Sequence, residues 1–291
     1  MIPQSVRLGA PDYPQFLASI TGAPSPIHVI GRIPDVSGLA IVGSRRPTAY
    51  GLRMARLLAA EAAKAGIPTV SGLARGVDTE VHRSTLDHGG RTWAVLGSGL
   101  GKIYPPENAG LADEIVQKGG AILSEFDFDE APMNYHFPRR NRIISGLACA
   151  TIVVEGDHKS GAMITAKTAL DQGREVLAVP GPADSRLSEG PLSLLKSGAA
   201  MVRNWADVLE AVPMLAKIKS EDSAIACINA PEPPGGEDER KVAALLGSGE
   251  TTWDELFEKS RLPVDRLAAA LLELEMSGHI RSCPGQRYAK N

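Results

Sequence analysis

Short apolar runs recur through the first two thirds of the chain, and most are followed by a glycine-containing turn and a longer amphipathic segment. Runs rich in Val, Ile, Leu and Ala indicate buried strands at 39–42, 69–70, 92–96, 121–124, 151–154 and 175–179. Strands that are apolar throughout are typical of a parallel sheet covered by helices on both faces. The pattern predicts an α/β fold with an extended Rossmann-like, doubly wound, mostly parallel sheet.

Composition limits the class of protein and its location. The chain has 291 residues, a hydrophobic fraction of 43% and a net charge of −3, which is typical of an ordinary globular protein. Its three cysteines lie far apart, so we expect neither a zinc site nor a disulfide framework. No signal peptide or membrane-spanning run is visible. We expect a cytoplasmic protein without membrane contact, metal or other cofactor.

The composition also predicts where domains begin and end. Residues 1–36, rich in Pro and Gly, are expected to pack as a lead-in on a Rossmann-like domain at 37–212. Residues 213–237 combine Pro, Gly and acidic residues, a composition typical of a linker. Residues 238–291 predict three helices and a small hairpin, which together resemble a winged helix. Thr252 and Glu255 form a capping-box start for the second of these helices.

Three glycine turns carry the residue types of anion sites. They contain Gly43, Ser44 and Arg45; Ser71, Gly72 and Gly76; and Lys159, Ser160 and Gly161. In parallel α/β sheets ligands bind beyond the carboxyl ends of strands, and amides at a helix start favour anions. One such turn alone is more often structural, but three at one sheet edge favour several phosphates over a single small ligand. Asp78 is expected to cap the following helix.

The run His-Phe-Pro-Arg-Arg-Asn-Arg at 136–142 is the densest cationic feature of the chain. An exposed Phe137 can stack on an unpaired base, and Arg139, Arg140 and Arg142 can hold phosphates in a planar, forked geometry. The alternative is a solvated helix start that leaves Phe137 in the core.

Catalytic residues have weaker support in the sequence. The acidic candidates, for which loop solvation is the favoured explanation, are Glu125, Asp127, Asp129, Glu130 and Glu155. The histidines lack metal spacing, and Ser145 lacks the context of a nucleophile elbow. We therefore predict no catalytic residue and no enzymatic activity.

Together, these motifs resemble the DprA/Smf family of bacterial DNA-processing proteins over residues 12–212. The matching blocks are Gly43-Ser44-Arg45, Ser71-Gly72-x-Ala74-x-Gly76-x-Asp78, Gly97-x-Gly99 with Tyr104-Pro105 and Glu107-Asn108, Leu123-Ser124-Glu125, Phe137–Leu147, Val153-Val154-Glu155, Ser160-Gly161 and Val179-Pro180-Gly181. The Arg-Arg-Asn-Arg block is the most specific of them.

The resemblance implies a homodimer that binds single-stranded DNA, protects it and helps to load the RecA recombinase during natural transformation and recombination. No catalytic turnover is implied. Carried over by position, the phosphate-binding residues would be Arg45, Arg91, Arg139, Arg140, Asn141, Arg142 and Lys159, and Phe137 would contact a base. The acidic residues Asp265, Glu273 and Glu275 on the predicted recognition helix weaken phosphate binding by the winged helix.

Two other functions stay open at this point. The first is a nucleotide-processing enzyme of the phosphoribohydrolase group (lysine-decarboxylase-like), in which Glu155 would be the residue to test. Those enzymes have a Pro-Gly-Gly-x-Gly-Thr loop, whereas this chain has Lys159-Ser160-Gly161. The second is a transcriptional regulator that binds duplex DNA through residues 238–291.

Overall fold

The computed structural model describes residues 3–215, 236–246, 251–276, 280–283 and 287–290. The chain divides into two compact units, Met1–Ala224 and Ile225–Asn291. In the described ranges no helix has both the length and the apolar character needed to cross a membrane.

A nine-stranded sheet forms the centre of the first unit. Its strands are β1 (Gln4–Val6), β2 (Ile27–Gly31), β3 (Gly38–Val42), β4 (Thr69–Ser71), β5 (Thr92–Val95), β6 (Ala121–Ser124), β7 (Ala148–Val153), β8 (Glu175–Ala178) and β9 (Ala200–Met201). Their order across the sheet is β1-β2-β6-β5-β4-β3-β7-β8-β9. Strands β3 to β9 pair in parallel, while β1 and β2 form an antiparallel edge.

Helices cover both faces of this sheet. They are α1 (Gln15–Ala18), α2 (Ala49–Lys64), α3 (Val77–Asp87), α4 (Ala109–Gln117), α5 (His136–Gly146), α6 (Gly161–Asp171), α7 (Glu189–Lys196) and α8 (Trp205–Ala211). Side chains of β3 alternate between two cores: Ala40 and Val42 pack in the core that includes α5 and α6 residues, and Leu39 and Ile41 pack in the core that includes α2 residues. The predicted doubly wound, mostly parallel fold is therefore confirmed.

The connections from β3 and β7 diverge at the centre of the sheet. From β3 the chain proceeds through β4 and β5 to β6 on one side, and from β7 through β8 to β9 on the other. The loops that follow β3 and β7 therefore run in opposite directions, which leaves a crevice between them. In such sheets, ligands usually bind in this crevice, at the carboxyl ends of the strands.

The six strands predicted for the first unit are all present, and its described residues form three more. Strand β7 begins at Ala148, three residues before the predicted start. The lead-in contributes β1 and β2 to the sheet itself, and β9 has only two residues. These strands lie toward the sheet edges and are short or partly exposed, so they lack the continuous apolar pattern of the central strands.

The described part of the second unit contains three helices and a three-stranded sheet. These are α9 (Glu237–Leu245), β10 (Thr251–Thr252), α10 (Trp253–Ser260), α11 (Val264–Met276), β11 (Ile280–Cys283) and β12 (Arg287–Lys290), with strand order β10-β12-β11. The Thr252 side chain accepts a hydrogen bond from the Glu255 amide, as the capping box predicts. Most of the predicted linker lies outside the described residues, and Leu215 is buried in the first unit.

A buried polar cluster lies between α3 and the strands β4 and β5. The hydroxyl of Thr69 donates to Thr92 Oγ1 over 2.8 Å, and His82 Nδ1 lies 2.7 Å from the same Thr92 oxygen. The His82 ring is fully buried, and its Nε2 has no hydrogen-bond partner among the described residues. Burial, assisted by the charge of Arg140, lowers the pKa of His82 to about 3.

This low pKa makes the stability of the first unit depend on pH. Between about pH 6.5 and pH 3 the unfolded chain protonates His82 while the folded chain does not, so the free energy of unfolding falls as the pH falls. The expected slope is about 1.4 kcal/mol per pH unit for one full proton. Urea unfolding followed by Trp93 fluorescence, in a chain carrying Trp205→Phe and Trp253→Phe, measures it. His82→Gln should reduce the slope, and equal slopes in both chains would contradict this assignment.

Candidate nucleic-acid interface

A cleft of about 420 Å³ opens at the carboxyl ends of β3 and β7. One wall is the loop Gly43-Ser44-Arg45 after β3, and the facing wall is the start of α6 with Ser160 and Gly161. Helix α5 contributes Phe137 and Asn141 to the lining. Two of the three predicted glycine turns and part of the arginine-rich run therefore meet at one site, as the strand-end pattern indicates.

Arg45 and Phe137 form a stacked pair at this cleft. The Arg45 guanidinium carbon lies 5.1 Å from the centre of the Phe137 ring, within the range of a cation–π contact. Arg45 is exposed, Phe137 is half-buried, and Arg45 makes no ion pair within residues 3–215. A Cβ atom on Gly97 would lie 2.7 Å from the Phe137 ring, so this ring position requires a glycine after β5.

Arg140 is a core residue. It is 3% exposed, and its Nη1 donates to the carbonyl of Gly72 over 2.7 Å and to the carbonyl of Val95. Burial lowers the pKa of Arg140 to about 10, while the charge of Asp78 acts in the opposite direction. Its Nη1 is thus directed to strand-end carbonyl groups inside the protein, while the residue also lines the cleft, and its role as a phosphate ligand stays a prediction.

Arg139 and Arg142 share an internal carboxylate. Glu125, at the end of β6, pairs with both, and the Arg139 distance is 2.8 Å. Arg139 stays exposed and its guanidinium lies 5.5 Å from the Phe126 ring. The side chain of Arg142 is mostly buried, and burial lowers its pKa. Neither side chain lines the cleft.

The turn after β4 is held by contacts inside the protein. Ser71 is buried and donates to the carbonyl of Ile41 over 2.8 Å. Gly72 leaves space for Arg140, because a Cβ atom there would lie 2.6 Å from its guanidinium group. Gly76 has a φ of 78° and is the N-cap of α3. Ser71 and Gly72 therefore have structural contacts inside the protein, and their contact with a ligand stays a prediction.

Asp78 has a different role from the predicted helix cap. It lies inside α3, where its Oδ2 accepts from the amides of Gly72 (3.1 Å) and Ala74 (3.4 Å). Burial raises the pKa of this carboxyl group, and the charge of Arg140 opposes that shift. Asp78 thus fixes the turn that precedes its helix, and it neutralises Arg140.

Glu155 occupies the helix start that follows the first glycine turn. It is 5% exposed and accepts from the Thr48 amide over 2.9 Å and from the Thr48 hydroxyl over 2.5 Å. Thr48 is the N-cap of α2, and a helix start favours a nearby negative charge. The Glu155 carboxylate supplies that charge. The sequence motif Val153-Val154-Glu155 did not reveal this clamp, because Thr48 is 107 residues away along the chain.

The start of α6 faces the cleft. Ser160 is its N-cap, and the amides of Gly161 and Ala162 precede the first intrahelical hydrogen bonds, which makes them available to an anion. Asn141 Nδ2 donates to the Gly161 carbonyl over 3.1 Å and holds this start against α5. Lys159 lies exposed beside it. Asn141 therefore positions the site, while the α6 start and Lys159 are free to hold an anion.

Arg91 lies at the opposite edge of the sheet. It precedes β5 at the amino end of the strand, and its Nη1 is 3.5 Å from a carboxylate oxygen of Asp35. It is not part of the cleft lining, so the structure does not bring Arg91 together with the other candidate residues there. Among the described residues, no group of three or more His, Cys, Asp or Glu side chains is arranged to hold a metal ion.

Comparison with known proteins assigns both units. A family model for DNA recombination-mediator protein A matches residues 4–213, and a model of the DprA winged helix domain matches residues 229–286. Protein Smf of Escherichia coli K12 is 39% identical over 284 residues, which is 94% of this chain and 74% of that protein. DNA processing protein DprA of Bacillus subtilis is 41% identical over 212 residues, or 72% of this chain and 71% of that protein.

Two solved structures share the fold. DprA from Streptococcus pneumoniae superposes with a TM-score of 0.67 and 37% identity, covering 71% of this chain and 73% of that one. DNA processing protein A from Helicobacter pylori superposes with a TM-score of 0.65 and 29% identity, covering 73% of this chain and 96% of that one. The latter structure concerns the single-stranded DNA binding mode of the Helicobacter protein.

The different environments of the arginines predict different effects on stability. Arg140→Ala leaves two strand-end carbonyl groups and the Asp78 carboxylate without their buried partner, and should lower the free energy of unfolding by about 3–5 kcal/mol. Arg139→Ala removes an exposed guanidinium group from a buried carboxylate that keeps Arg142 as a partner, and should cost about 1 kcal/mol. Urea unfolding followed by Trp93 fluorescence compares the two. Similar losses for both variants would contradict the assignment of Arg140 to the core.

Proposed function

This chain belongs to the DNA recombination-mediator protein A family, and on that premise we propose that it binds single-stranded DNA in the cleft at the carboxyl ends of β3 and β7. The observation that carries the proposal is the Arg45–Phe137 pair, which places an exposed guanidinium group 5.1 Å from a half-buried aromatic ring. An aromatic face accepts a stacked base, and a guanidinium group binds the adjacent phosphate.

The remaining cleft residues suit a phosphodiester chain. The start of α6 lines the same cleft as Arg45, and Lys159 is exposed directly before that helix start. Phosphates bind well at helix starts because the amides point outward and the helix dipole favours negative charge. We therefore assign the DNA-binding surface to Gly43, Ser44, Arg45, Phe137, Lys159, Ser160 and Gly161.

The size of the cleft favours an unpaired strand. A volume of about 420 Å³ is enough for a small number of nucleotide groups but not for a duplex. Stacking on Phe137 also requires a base whose face is open, and the bases of a duplex are stacked on one another. The proposed site therefore selects single strands through shape and stacking.

The carboxylates at the site support a binding role. Glu155, the residue that a nucleotide-processing enzyme would require, is buried and accepts two hydrogen bonds from Thr48. A group held in this way serves as a helix clamp. We propose that the bound strand is protected from nucleases and delivered to RecA, and that the protein acts as a homodimer with two such clefts. The resemblance to the DprA/Smf family supports this part of the proposal.

Changing the two stacked residues tests the cleft. Phe137→Ala should weaken binding to a fluorescein-labelled oligo-dT by roughly fivefold to 150-fold, because loss of one stacked base costs about 1–3 kcal/mol. Arg45→Ala should weaken binding and reduce the slope of log affinity against log salt by about 0.7, the value for one phosphate contact in a single strand. Fluorescence anisotropy at several salt concentrations measures both quantities.

Arg91→Ala provides the matched control, because it removes the same charge from the opposite edge of the sheet. We expect its affinity to stay within about twofold of the unmodified chain, in line with a surface charge outside the contact area. A duplex of equal length should bind more weakly than the single strand. If Arg45→Ala and Phe137→Ala both bind like the unmodified chain, the cleft is not the binding site.

A further inference from the structure

A second, shallow hollow lies on the other side of the Arg45–Phe137 pair. It shares Arg45, Ala74, Phe137 and Arg140 with the main cleft, and Arg75 and Tyr104 complete its polar and aromatic lining. Its enclosed volume is only about 10 Å³. A flat group can therefore lie on its surface, but a base cannot be inserted into it. The two depressions are adjacent, with the stacked pair as their common wall.

Tyr104 supplies the aromatic surface of this hollow. Its ring centre lies 5.7 Å from that of Phe137, and the two rings are inclined by 48°. Asn108 fixes the segment that carries Tyr104, because its Nδ2 donates to the Leu73 carbonyl and to the Thr79 hydroxyl, each over 2.8 Å. Asn108 is buried. The ring is thus held in place by the protein, which reduces the entropy lost when a base stacks on it.

Arg75 supplies a cation beside this ring. Its Nε pairs with Glu107, and the two side chains are 54% and 50% exposed. Exposed ion pairs of this kind contribute little to stability, so Arg75 can exchange its carboxylate for a phosphate at small cost. Glu107 then competes with the phosphate for Arg75, because both anions bind the same guanidinium group.

We propose that Tyr104 and Arg75 form a second nucleotide subsite next to the Arg45–Phe137 site. A base lies on the Tyr104 ring, and its phosphate displaces Glu107 from Arg75. The shallow hollow has no room to surround the edge of a base, so this subsite accepts any base. The inference rests on the proposed function, since it extends the path of the same strand by one nucleotide.

Opposite effects of two neighbouring substitutions test the subsite. Glu107→Gln removes the competing carboxylate and should raise the affinity for oligo-dT roughly twofold to fivefold, as expected for one charge near a surface phosphate. Arg75→Ala should weaken binding and reduce the salt slope by about 0.7. Anisotropy titrations at several salt concentrations report both. All these side chains are exposed or half-buried, so the variants should fold, and circular dichroism verifies that they do.

The ring is tested separately. Tyr104→Ala should weaken binding at least about fivefold, whereas Tyr104→Phe should retain the affinity because the stacking surface is kept. Tyr135→Ala is the matched control, since Tyr135 is also an exposed aromatic but lines neither depression. For the charged residues, the control is the ion pair between Arg56 and Glu80, whose Nε–Oε1 distance is 2.7 Å. Neither residue lines either depression. Arg56→Ala and Glu80→Gln should leave affinity and salt slope unchanged.

The outcomes separate this subsite from the cleft itself. If Arg45→Ala weakens binding while Arg75→Ala, Glu107→Gln and Tyr104→Ala do not alter it, the subsite is wrong and the proposed function stands. Equal effects of Glu107→Gln and Glu80→Gln would also overturn the subsite, because they would reflect net charge alone. If the unmodified chain does not bind oligo-dT, both proposals fail.

Discussion

The buried guanidinium group of Arg140 holds the functional edge of this protein together. It connects α5 to the ends of β4 and β5 through the carbonyl groups of Gly72 and Val95. Asp78 compensates its charge and at the same time fixes the turn after β4. A buried charge is tolerated only when its hydrogen bonds and its counter-charge are both provided. Here a single ionic cluster satisfies both conditions and sets the position of α5.

The position of α5 then determines which of its side chains line the cleft. Phe137 lies one turn before Arg140 on the same helix, so anchoring Arg140 also places the aromatic ring beside Arg45. Asn141 extends the same face and holds the start of α6 through the Gly161 carbonyl. One helix therefore links the stacking surface to the helix start that favours a phosphate. The arginine-rich run acts mainly as a scaffold, and Arg45 from another loop supplies the exposed cation.

The sequence predicted the sheet and the location of the site, because both follow from local patterns. Continuous apolar strands define a buried parallel sheet, and the turns after β3 and β7 necessarily meet at its carboxyl edge. The sequence predicted phosphate contacts for the arginines of the run at 136–142 but not their partners inside the protein. Helical periodicity contains part of the missing signal, since Phe137, Arg140 and Asn141 share one face while Arg139 and Arg142 are turned away from it.

The partners of the carboxylates Glu125 and Glu155 could not be predicted from the sequence. Glu155 is 107 residues away from Thr48, and Glu125 is 17 residues away from Arg142, so neither pair follows from a local sequence pattern. Arg91 shows the complementary case. Its position next to β5 resembles that of the other candidates in sequence, but it precedes the strand, and the amino ends of parallel strands lie at the opposite edge of the sheet.

These internal pairings are consistent with the proposed polyanion surface on a chain whose net charge is −3. Glu155 is engaged with Thr48, and Glu125 is engaged with Arg139 and Arg142. Asp78 is engaged with backbone amides and with the charge of Arg140. Charges farther than about 10 Å from a phosphate are largely screened at physiological ionic strength, so the net charge of the whole chain has little influence on the cleft. In the proposed cleft a phosphate would meet Arg45 and the amides of α6. Asp157 also lines this cleft, and its carboxylate accepts from the Lys159 amide over 2.9 Å and pairs with Arg186 over 3.4 Å.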